Sequence, residues 1–117
     1  MRVDDANAAS QGPLAAEQRR TLLGIARKSI AHGLEWGRAL AVEPDDFDPA
    51  LGLRRAAFIT LHEEGQLRGC IGHLEAVQPL VRDVAENAFS AAFRDPRFPP
   101  LSAGELDSLH IEISVLS

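Results

Sequence analysis

Residues 56–71 read AAFITLHEEGQLRGCI and contain two short apolar runs separated by a polar turn. Such a pair of runs around a glycine-containing turn predicts a β-hairpin. A two-residue turn would place Glu64 at positive φ, whereas a type I turn followed by Gly65 in the left-handed region needs only the glycine there. The sequence therefore predicts a three-residue loop from Glu63 to Gly65.

In this register one face of the hairpin is wholly apolar. Its facing pairs are Leu61 with Leu67, Ile59 with Gly69, and Ala57 with Ile71. The opposite face, called the mixed face below, carries Phe58, Thr60, His62, Arg68 and Cys70. A face of this composition is expected to be partly solvated or to line a pocket.

Helical periodicity is found on both sides of the hairpin. Upstream, an apolar stripe predicts an amphipathic helix over roughly residues 14–32, with Pro13 suited to its first turn. Residues 33–53 predict a long surface connection with little regular structure, and its acidic cluster of Asp45, Asp46 and Asp48 predicts a solvated loop. Downstream, Pro79 begins a second predicted helix, whose apolar stripe extends from Leu80 to Ala92.

The last part of the sequence predicts a loop, a short turn and a strand. Residues 94–100 hold three prolines and predict a stiff, ordered loop. Ser102 and Glu105 have the spacing of a capping box, which predicts a short helical turn. Ile111, Ile113 and Val115 alternate with more polar positions, as in a half-buried strand. The predicted fold is therefore α+β, with an antiparallel β-sheet core and packed helices.

Bulk composition limits the classes of function. The chain has 117 residues, enough for one domain, and its 12 basic and 17 acidic residues give a net charge of −5. This charge argues against a nucleic-acid partner. The N-terminus lacks the apolar region of a secretory signal and no apolar run is long enough for a bilayer, so we expect a cytoplasmic protein without membrane contact.

The two ends of the chain carry separate expectations. Residues 1–12 are small, polar and acidic, which predicts a disordered leader ahead of a domain at 13–117. At the other end, an apolar strand with no solvated tail is an unusual terminus for a complete domain. We therefore expect a domain that is truncated at its C-terminus.

Three stretches together resemble one known family: LRGCIG at 67–72, AAFRDPRFPP at 91–100 and IEISVL at 111–116. In order and spacing they resemble the AMMECR-one domain family, also called AmmeMemoRadiSam system protein A. The resemblance implies an antiparallel α+β fold and partnership with a Memo-like protein and a radical SAM protein. It implies no particular reaction, although the Arg-Gly-Cys-Ile-Gly motif, here residues 68–72, is the family's proposed site. Domains of that family usually continue beyond the point where this chain ends.

Cys70 is the single cysteine and the first candidate functional residue. Arg68 is a candidate to stabilise its thiolate and make it a nucleophile, whereas a free cysteine is also often a small buried hydrophobe. The neighbouring Gly69, Ile71 and Gly72 are candidates for ligand binding or docking, because glycine in a strand marks close approach of a ligand or another backbone. The sequence leaves both interpretations open.

A nucleophilic cysteine needs a base, and the candidates by face are His62 and, if the final strand joins the same sheet, His110 and Glu112. No metal site or cofactor is predicted, because the histidines show no ligand spacing.

Arg94, Asp95 and Arg97 form a second candidate cluster. They are suited either to present charge to a carboxylate or phosphate, or to form an internal ion pair through Asp95. Together with the family resemblance, which implies an enzyme system, these patterns leave two functions open: a component of that system that acts on or holds a small-molecule substrate, and a non-catalytic adaptor or docking module. Whether the chain is itself an enzyme stays open at this point.

Overall fold

The computed structural model describes residues 14–116, so the leader predicted at 1–12 and the role predicted for Pro13 lie outside the described residues. Helix α1 spans Ala16–Trp36 and helix α2 spans Leu80–Phe93; the strands are β1 (Ala57–Glu63), β2 (Gln66–Gly72) and β3 (Leu109–Val115). The strand order is β2-β1-β3, and both pairings are antiparallel. The predicted α+β fold and the predicted last strand are confirmed.

Helix α1 extends beyond the end that its sequence predicts. It ends at Trp36 and is capped by Gly37, which has a φ of 71° and donates its N–H to the carbonyl of Gly33. Gly33 was predicted to begin the connection, and this was wrong: a Cβ there would lie 2.5 Å from the Phe93 ring and 2.7 Å from the Phe89 ring. Gly33 therefore lets the aromatic side chains of α2 pack against the helix backbone.

The turn between β1 and β2 has two residues, so the predicted three-residue loop from Glu63 to Gly65 is wrong. Glu63 pairs with Gln66, and the turn residues Glu64 and Gly65 have φ values of 51° and 80°. Positive φ at both positions is typical of a type I′ turn, whose twist matches that of the flanking strands. That match outweighs the cost of placing Glu64 in the left-handed region, about 1–2 kcal/mol.

A β-bulge at Arg68 changes the register beside the turn. Leu61 pairs with Gly69, whereas His62 pairs with Leu67, so Arg68 is the extra residue of β2. The predicted pairing of Leu61 with Leu67 is wrong. Because Leu67 is paired with His62, it belongs to the mixed face, where it is 41% exposed.

Further from the turn, the predicted pairs are displaced by two residues. Ile59 pairs with Ile71 and not with Gly69, so the predicted pairing of Ala57 with Ile71 is also wrong. On its other side, Ala57 pairs with Val115 of β3. Because side chains alternate with a period of two, a displacement of two residues leaves each of them on its predicted face.

The helices pack against the apolar face of the sheet. Helix α2 contacts β1 and β2, while α1 contacts α2 and β3. Alternate strand residues point into this layer and are buried: Ala57, Ile59, Leu61, Ile111, Ile113 and Val115. Neither described helix combines the length and apolarity that a membrane span requires.

Two polar side chains of α2 form hydrogen bonds with the backbone at the start of β1. The carboxylate of Asp83, 1% exposed, accepts the N–H of Ala57 at 2.9 Å, and Asn87 Nδ2 donates to the Ala57 carbonyl at 3.1 Å. Asn87 also donates to Asp83 at 3.0 Å. The pair thus satisfies backbone groups of Ala57 that would otherwise be buried without a partner.

The connecting segments largely follow their predictions. Within residues 37–56 the only helical pieces are two 3₁₀ turns, Pro44–Asp46 and Pro49–Gly52, and the acidic cluster of Asp45, Asp46 and Asp48 is exposed. Residues 94–100 contain no helix or strand. The capping box of Ser102 and Glu105 is confirmed and begins a 3₁₀ turn, Ala103–Ser108.

Gly69 sets the distance between α2 and the sheet, which generates the first prediction. A Cβ at Gly69 would lie 2.1 Å from the Ala91 carbonyl oxygen, and this backbone atom cannot rotate away. We expect Gly69→Ala to lower the free energy of unfolding by about 1–3 kcal/mol or more, measured by urea titration. The control is Gly24→Ala on an exposed turn of α1, where nothing lies within 4 Å. Alanine at position 24 should raise the free energy of unfolding by about 1 kcal/mol. Equal changes in the free energy of unfolding at both sites would contradict the packing argument.

Candidate functional site

The mixed face of the sheet brings the sequence-predicted residues of three strands into rows. One row across β2, β1 and β3 is Cys70, Thr60 and Glu112, and the next is Leu67, His62 and His110. The final strand thus joins the sheet beside β1, which was the condition for placing His110 and Glu112 on the face of Cys70. Neighbouring strands lie about 4.8 Å apart, so each row spans roughly 10 Å.

Cys70 is held by one contact from the sheet and one from the loop after α2. Its half-buried Sγ lies 3.3 Å from Thr60 Oγ1, the directly paired residue of β1. Its backbone N–H donates to Asp95 Oδ2 at 3.0 Å. Because β2 is an edge strand in the described sheet, the Asp95 carboxylate takes the place of a further strand at this N–H.

Asp95 connects Cys70 to Arg97. Its carboxylate is 4% exposed and accepts bonds from Arg97 Nη2 at 2.7 Å, Arg97 Nε at 3.0 Å and the Arg97 backbone N–H at 3.1 Å. Hydrogen bonding to Arg97 holds the pKa of Asp95 well below its usual range, and the N–H of Cys70 adds to this against the opposing effect of burial. Asp95 is therefore an ionised internal partner.

Arg97 is joined to Cys70 through the carboxylate of Asp95. Hydrogen bonding to Asp95 is the largest cause that raises the pKa of Arg97, and the charge of Asp95 raises it further. Its side chain is 56% exposed, and its guanidinium lies 5.3 Å from the Phe98 ring centroid. Arg94 lies instead over the ring of Phe89 at 5.1 Å, so the three charged residues of this loop do not form one fork.

Arg68 is engaged by a carboxylate from the turn before β3. Its Nε lies 2.8 Å from Glu105 Oε2 and its Nη2 lies 3.1 Å from Glu105 Oε1. Glu105 also accepts the N–H of Ser102 at 2.9 Å, so one carboxylate completes the capping box and holds the bulge residue. The sequence placed the charge of Arg68 beside Cys70, whereas the structure directs it to Glu105.

The candidate bases lie close to one another. His62 Nδ1 is 3.8 Å from Glu112 Oε1, and the rings of His62 and His110 have centroids 6.3 Å apart. Thr60 is the neighbour of Cys70, and His62 follows it two residues later on the same face. The hydroxyl of Thr60 thus lies in the row between Cys70 and Glu112.

The remaining residues of the motif take part in packing within the protein. Gly69 admits the backbone of α2, and a Cβ at Gly72 would lie 2.4 Å from the Phe58 ring. Ile71 is half-buried against the core. Both glycines are therefore explained by close approach within the protein, one of the two alternatives that the sequence offered.

Sequence reasoning missed two contributors to this region. Thr60 was placed on the correct face without a role, and Glu105 was recognised only as a capping residue. The alternation of side chains along β1 is enough to place Thr60 on the same face as Cys70. The ion pair of Glu105 with Arg68, in contrast, joins residues 37 positions apart and leaves no signal in the sequence. Within residues 14–116, no group of three or more histidine, cysteine or acidic side chains is arranged to hold a metal ion.

Comparison with known proteins places this arrangement in a family. The family model described as AMMECR1 matches residues 23–117. A protein of Methanothermobacter thermautotrophicus is 46% identical over 105 residues, covering 90% of this chain and 54% of the relative. One of Methanosarcina acetivorans is 41% identical over 106 residues, covering 89% and 53%. The crystal structure of the uncharacterized protein PH0010 from Pyrococcus horikoshii superimposes with a TM-score of 0.73 at 37% identity, covering 81% of this chain and 49% of that one. The chain thus spans about half the length of these relatives.

The ion pair of Arg68 and Glu105 generates a prediction about pH. Hydrogen bonding to Arg68 is the largest cause that lowers the pKa of Glu105 to about 2. In the unfolded chain its pKa is about 4.3, so the pair stabilises the fold above that value and loses its effect as pH falls toward 2. A double-mutant cycle of Arg68→Met and Glu105→Gln, measured by urea unfolding, should therefore give a coupling energy that is largest at pH 6 and declines between pH 4.5 and 2.

The matched control is Asp107→Asn, an exposed carboxylate in the same 3₁₀ turn as Glu105. Its cycle with Arg68→Met should show little coupling at any pH. A coupling energy between Arg68 and Glu105 that did not change with pH would contradict the assignment.

Proposed function

The chain belongs to the AMMECR1 family, and from this premise we propose that it contributes a thiol site at residues 68–72 to a system that includes a Memo-like protein and a radical SAM protein. The proposed site binds a small-molecule substrate on the mixed face of the sheet. The partners follow from the family resemblance, whereas the position of the site is argued from this chain's own contacts.

The observation that carries the proposal is the linkage from the loop after α2 to Cys70. Asp95 fixes the backbone N–H of Cys70 and, through the same carboxylate, orients Arg97. One carboxylate therefore joins the guanidinium of Arg97 to the backbone of Cys70. A neighbouring cation stabilises a thiolate, which is the reactive form of cysteine.

The residues of the site take different roles in this proposal. Cys70 is the nucleophile or the direct substrate contact, and Arg97 stabilises its thiolate and attracts an anionic group of the substrate. Arg68, given that role on sequence grounds, supports the site by fixing the bulge through Glu105. His62 is the proposed base, supported by Glu112 and His110, because Glu112 shares the row of Cys70 and the two histidines lie in the next row.

A cytoplasmic location is part of the same proposal. Reducing conditions there keep an accessible thiol free, which the chemistry of Cys70 requires. The net charge of −5 further favours a small molecule or a protein over a nucleic acid as partner.

Alkylation of Cys70 with two reagents of different charge tests the role of Arg97. Iodoacetate is an anion and iodoacetamide is neutral, so their rate ratio reports the electrostatic environment of the sulfur. We expect Arg97→Ala to slow both reactions and to lower the iodoacetate-to-iodoacetamide ratio several-fold, because the nearby positive charge is lost. Rates are measured by mass spectrometry on the folded protein, with Cys70→Ser as the blank.

Arg94→Ala is the matched control, since it removes an arginine of the same loop that lies over Phe89 and not beside Asp95. Its rate ratio should equal that of the unchanged protein. A thiol that resists both reagents in every variant would refute the nucleophile and leave docking as the function.

Docking is the second candidate function, and a separate observation favours it. Three apolar side chains in or just after the motif strand are exposed: Leu67 by 41%, Leu74 by 82% and Val77 by 58%. Leu74 and Val77 border a cavity of about 570 Å³ that Glu75 and Glu86 also line. An apolar surface edged by carboxylates suits a partner that presents apolar and basic side chains.

The paired substitution Leu74→Ser and Val77→Ser separates the two candidates. If the chain is an adaptor, these changes should weaken binding to the purified Memo-like or radical SAM partner at least tenfold by calorimetry, while Cys70→Ser binds normally. Leu53→Ser is the control, because Leu53 is a similarly exposed leucine, at 55%, outside this cavity. If binding instead depended on Cys70 and not on Leu74 and Val77, the adaptor function would be wrong.

A further inference from the structure

Arg55 is a buried charge outside the thiol site. It lies between the 3₁₀ turn Pro49–Gly52 and β1, and it is only 3% exposed. Its Nε and Nη2 atoms are both buried and have no hydrogen-bond partner among residues 14–116. Burying a guanidinium whose donors are unsatisfied costs several kcal/mol, so such a group requires an oxyanion or another acceptor.

Two other arginines of this chain show what the same edge of the guanidinium binds. Arg68 uses Nε and Nη2 to hold Glu105, and Arg97 uses Nε and Nη2 to hold Asp95. In both cases the neighbouring carboxylate raises the pKa of the arginine. Burial alone acts on Arg55 and lowers its pKa, with no carboxylate contributing.

The backbone around Arg55 is fixed on both sides. The carbonyl of Ala56 accepts the N–H of Leu116 at 2.9 Å, and the carbonyl of Leu53 accepts the N–H of Leu80 at 2.8 Å. Arg54 forms a β-bridge with Pro79. The backbone at Arg55 is therefore held in place, and its two unsatisfied donors call for an acceptor at Nε and Nη2.

We propose that Arg55 anchors a buried binding site for a small oxyanion, a carboxylate or a phosphate, held by two parallel hydrogen bonds from Nε and Nη2. The planar fork of arginine matches two oxygens of either group. A small free anion supplies two acceptor oxygens to this edge of the guanidinium without a further protein segment. The site is independent of Cys70 and of the function proposed above.

Arginine-selective NMR of the whole chain observes the site directly. The Arg55 Nε–H signal is assigned by its loss in Arg55→Lys, and acetate and phosphate are then titrated separately at constant pH and constant ionic strength with chloride. We expect a saturable shift of the Arg55 signal while that of Arg54 stays constant. Saturation by acetate identifies a carboxylate site, and saturation by phosphate identifies a phosphate site.

Thermal unfolding supplies a second measurement, with Arg54→Met as the matched control for Arg55→Met. In chloride alone, Arg55→Met should be at least as stable as the unchanged protein, because an apolar side chain replaces an unsatisfied charge. Saturating anion should reverse this order, since a ligand at about 100 times its Kd raises the folded-to-unfolded ratio about 100-fold in the protein that binds it. Arg54→Met should respond like the unchanged protein.

Two results would overturn the proposal. One is an Arg55 signal that neither anion shifts. The other is an anion-dependent stabilisation of the same size in Arg55→Met as in the unchanged protein, which would show that the anion acts elsewhere.

Discussion

The close contact between helix α2 and strand β2 is the constraint on which the rest of the structure depends. At Gly69 the strand has no side chain, and the Ala91 carbonyl occupies the space that a Cβ would need. Toward the other end of α2, Asp83 and Asn87 bind the backbone of Ala57. The helix is thus fixed on the sheet at two points along its length, one by shape and one by hydrogen bonds. Its end then determines where the following loop begins, and that loop brings Asp95 to Cys70.

The Asp95 carboxylate solves a structural problem and shapes the candidate site at once. An edge strand exposes N–H groups that invite pairing with other chains, and a carboxylate on one of them blocks such pairing. Because Asp95 is almost fully buried, its charge needs a strong partner, and Arg97 supplies it from two residues away. The carboxylate that binds Arg97 is therefore also the one that binds the backbone of Cys70. Protection of the edge and placement of a cation next to the motif strand thus depend on the same three residues.

Periodicity predicted the helices, the strands and the faces of the sheet, because these depend on which side chains must be buried. The register of the hairpin was harder to predict, because the backbone strain in the turn and the fit of the turn to the strands contribute free energies of similar size. The cost of positive φ at Glu64 was visible in the sequence, but the compensating fit of the type I′ turn and the bulge at Arg68 was not. The ion pair of Arg68 with Glu105 and the bond of Asp95 to Cys70 join residues far apart in sequence. Neither follows from local spacing, and together they determine the partners of Arg68 and of the Cys70 backbone.

Strand parity explains why the candidate chemistry lies on the mixed face. On β1, Ala57, Ile59 and Leu61 are required for packing under the helices, so only the intervening positions remain available for polar groups. The same alternation on β3 leaves His110 and Glu112 on that side, in rows with His62 and Thr60. A slip of one residue in either strand would bury these groups under the helices and expose the core, at a cost no ion pair there would offset. The requirement for a core thus holds Cys70, Thr60, His62 and Glu112 on one surface, whatever reaction that surface performs.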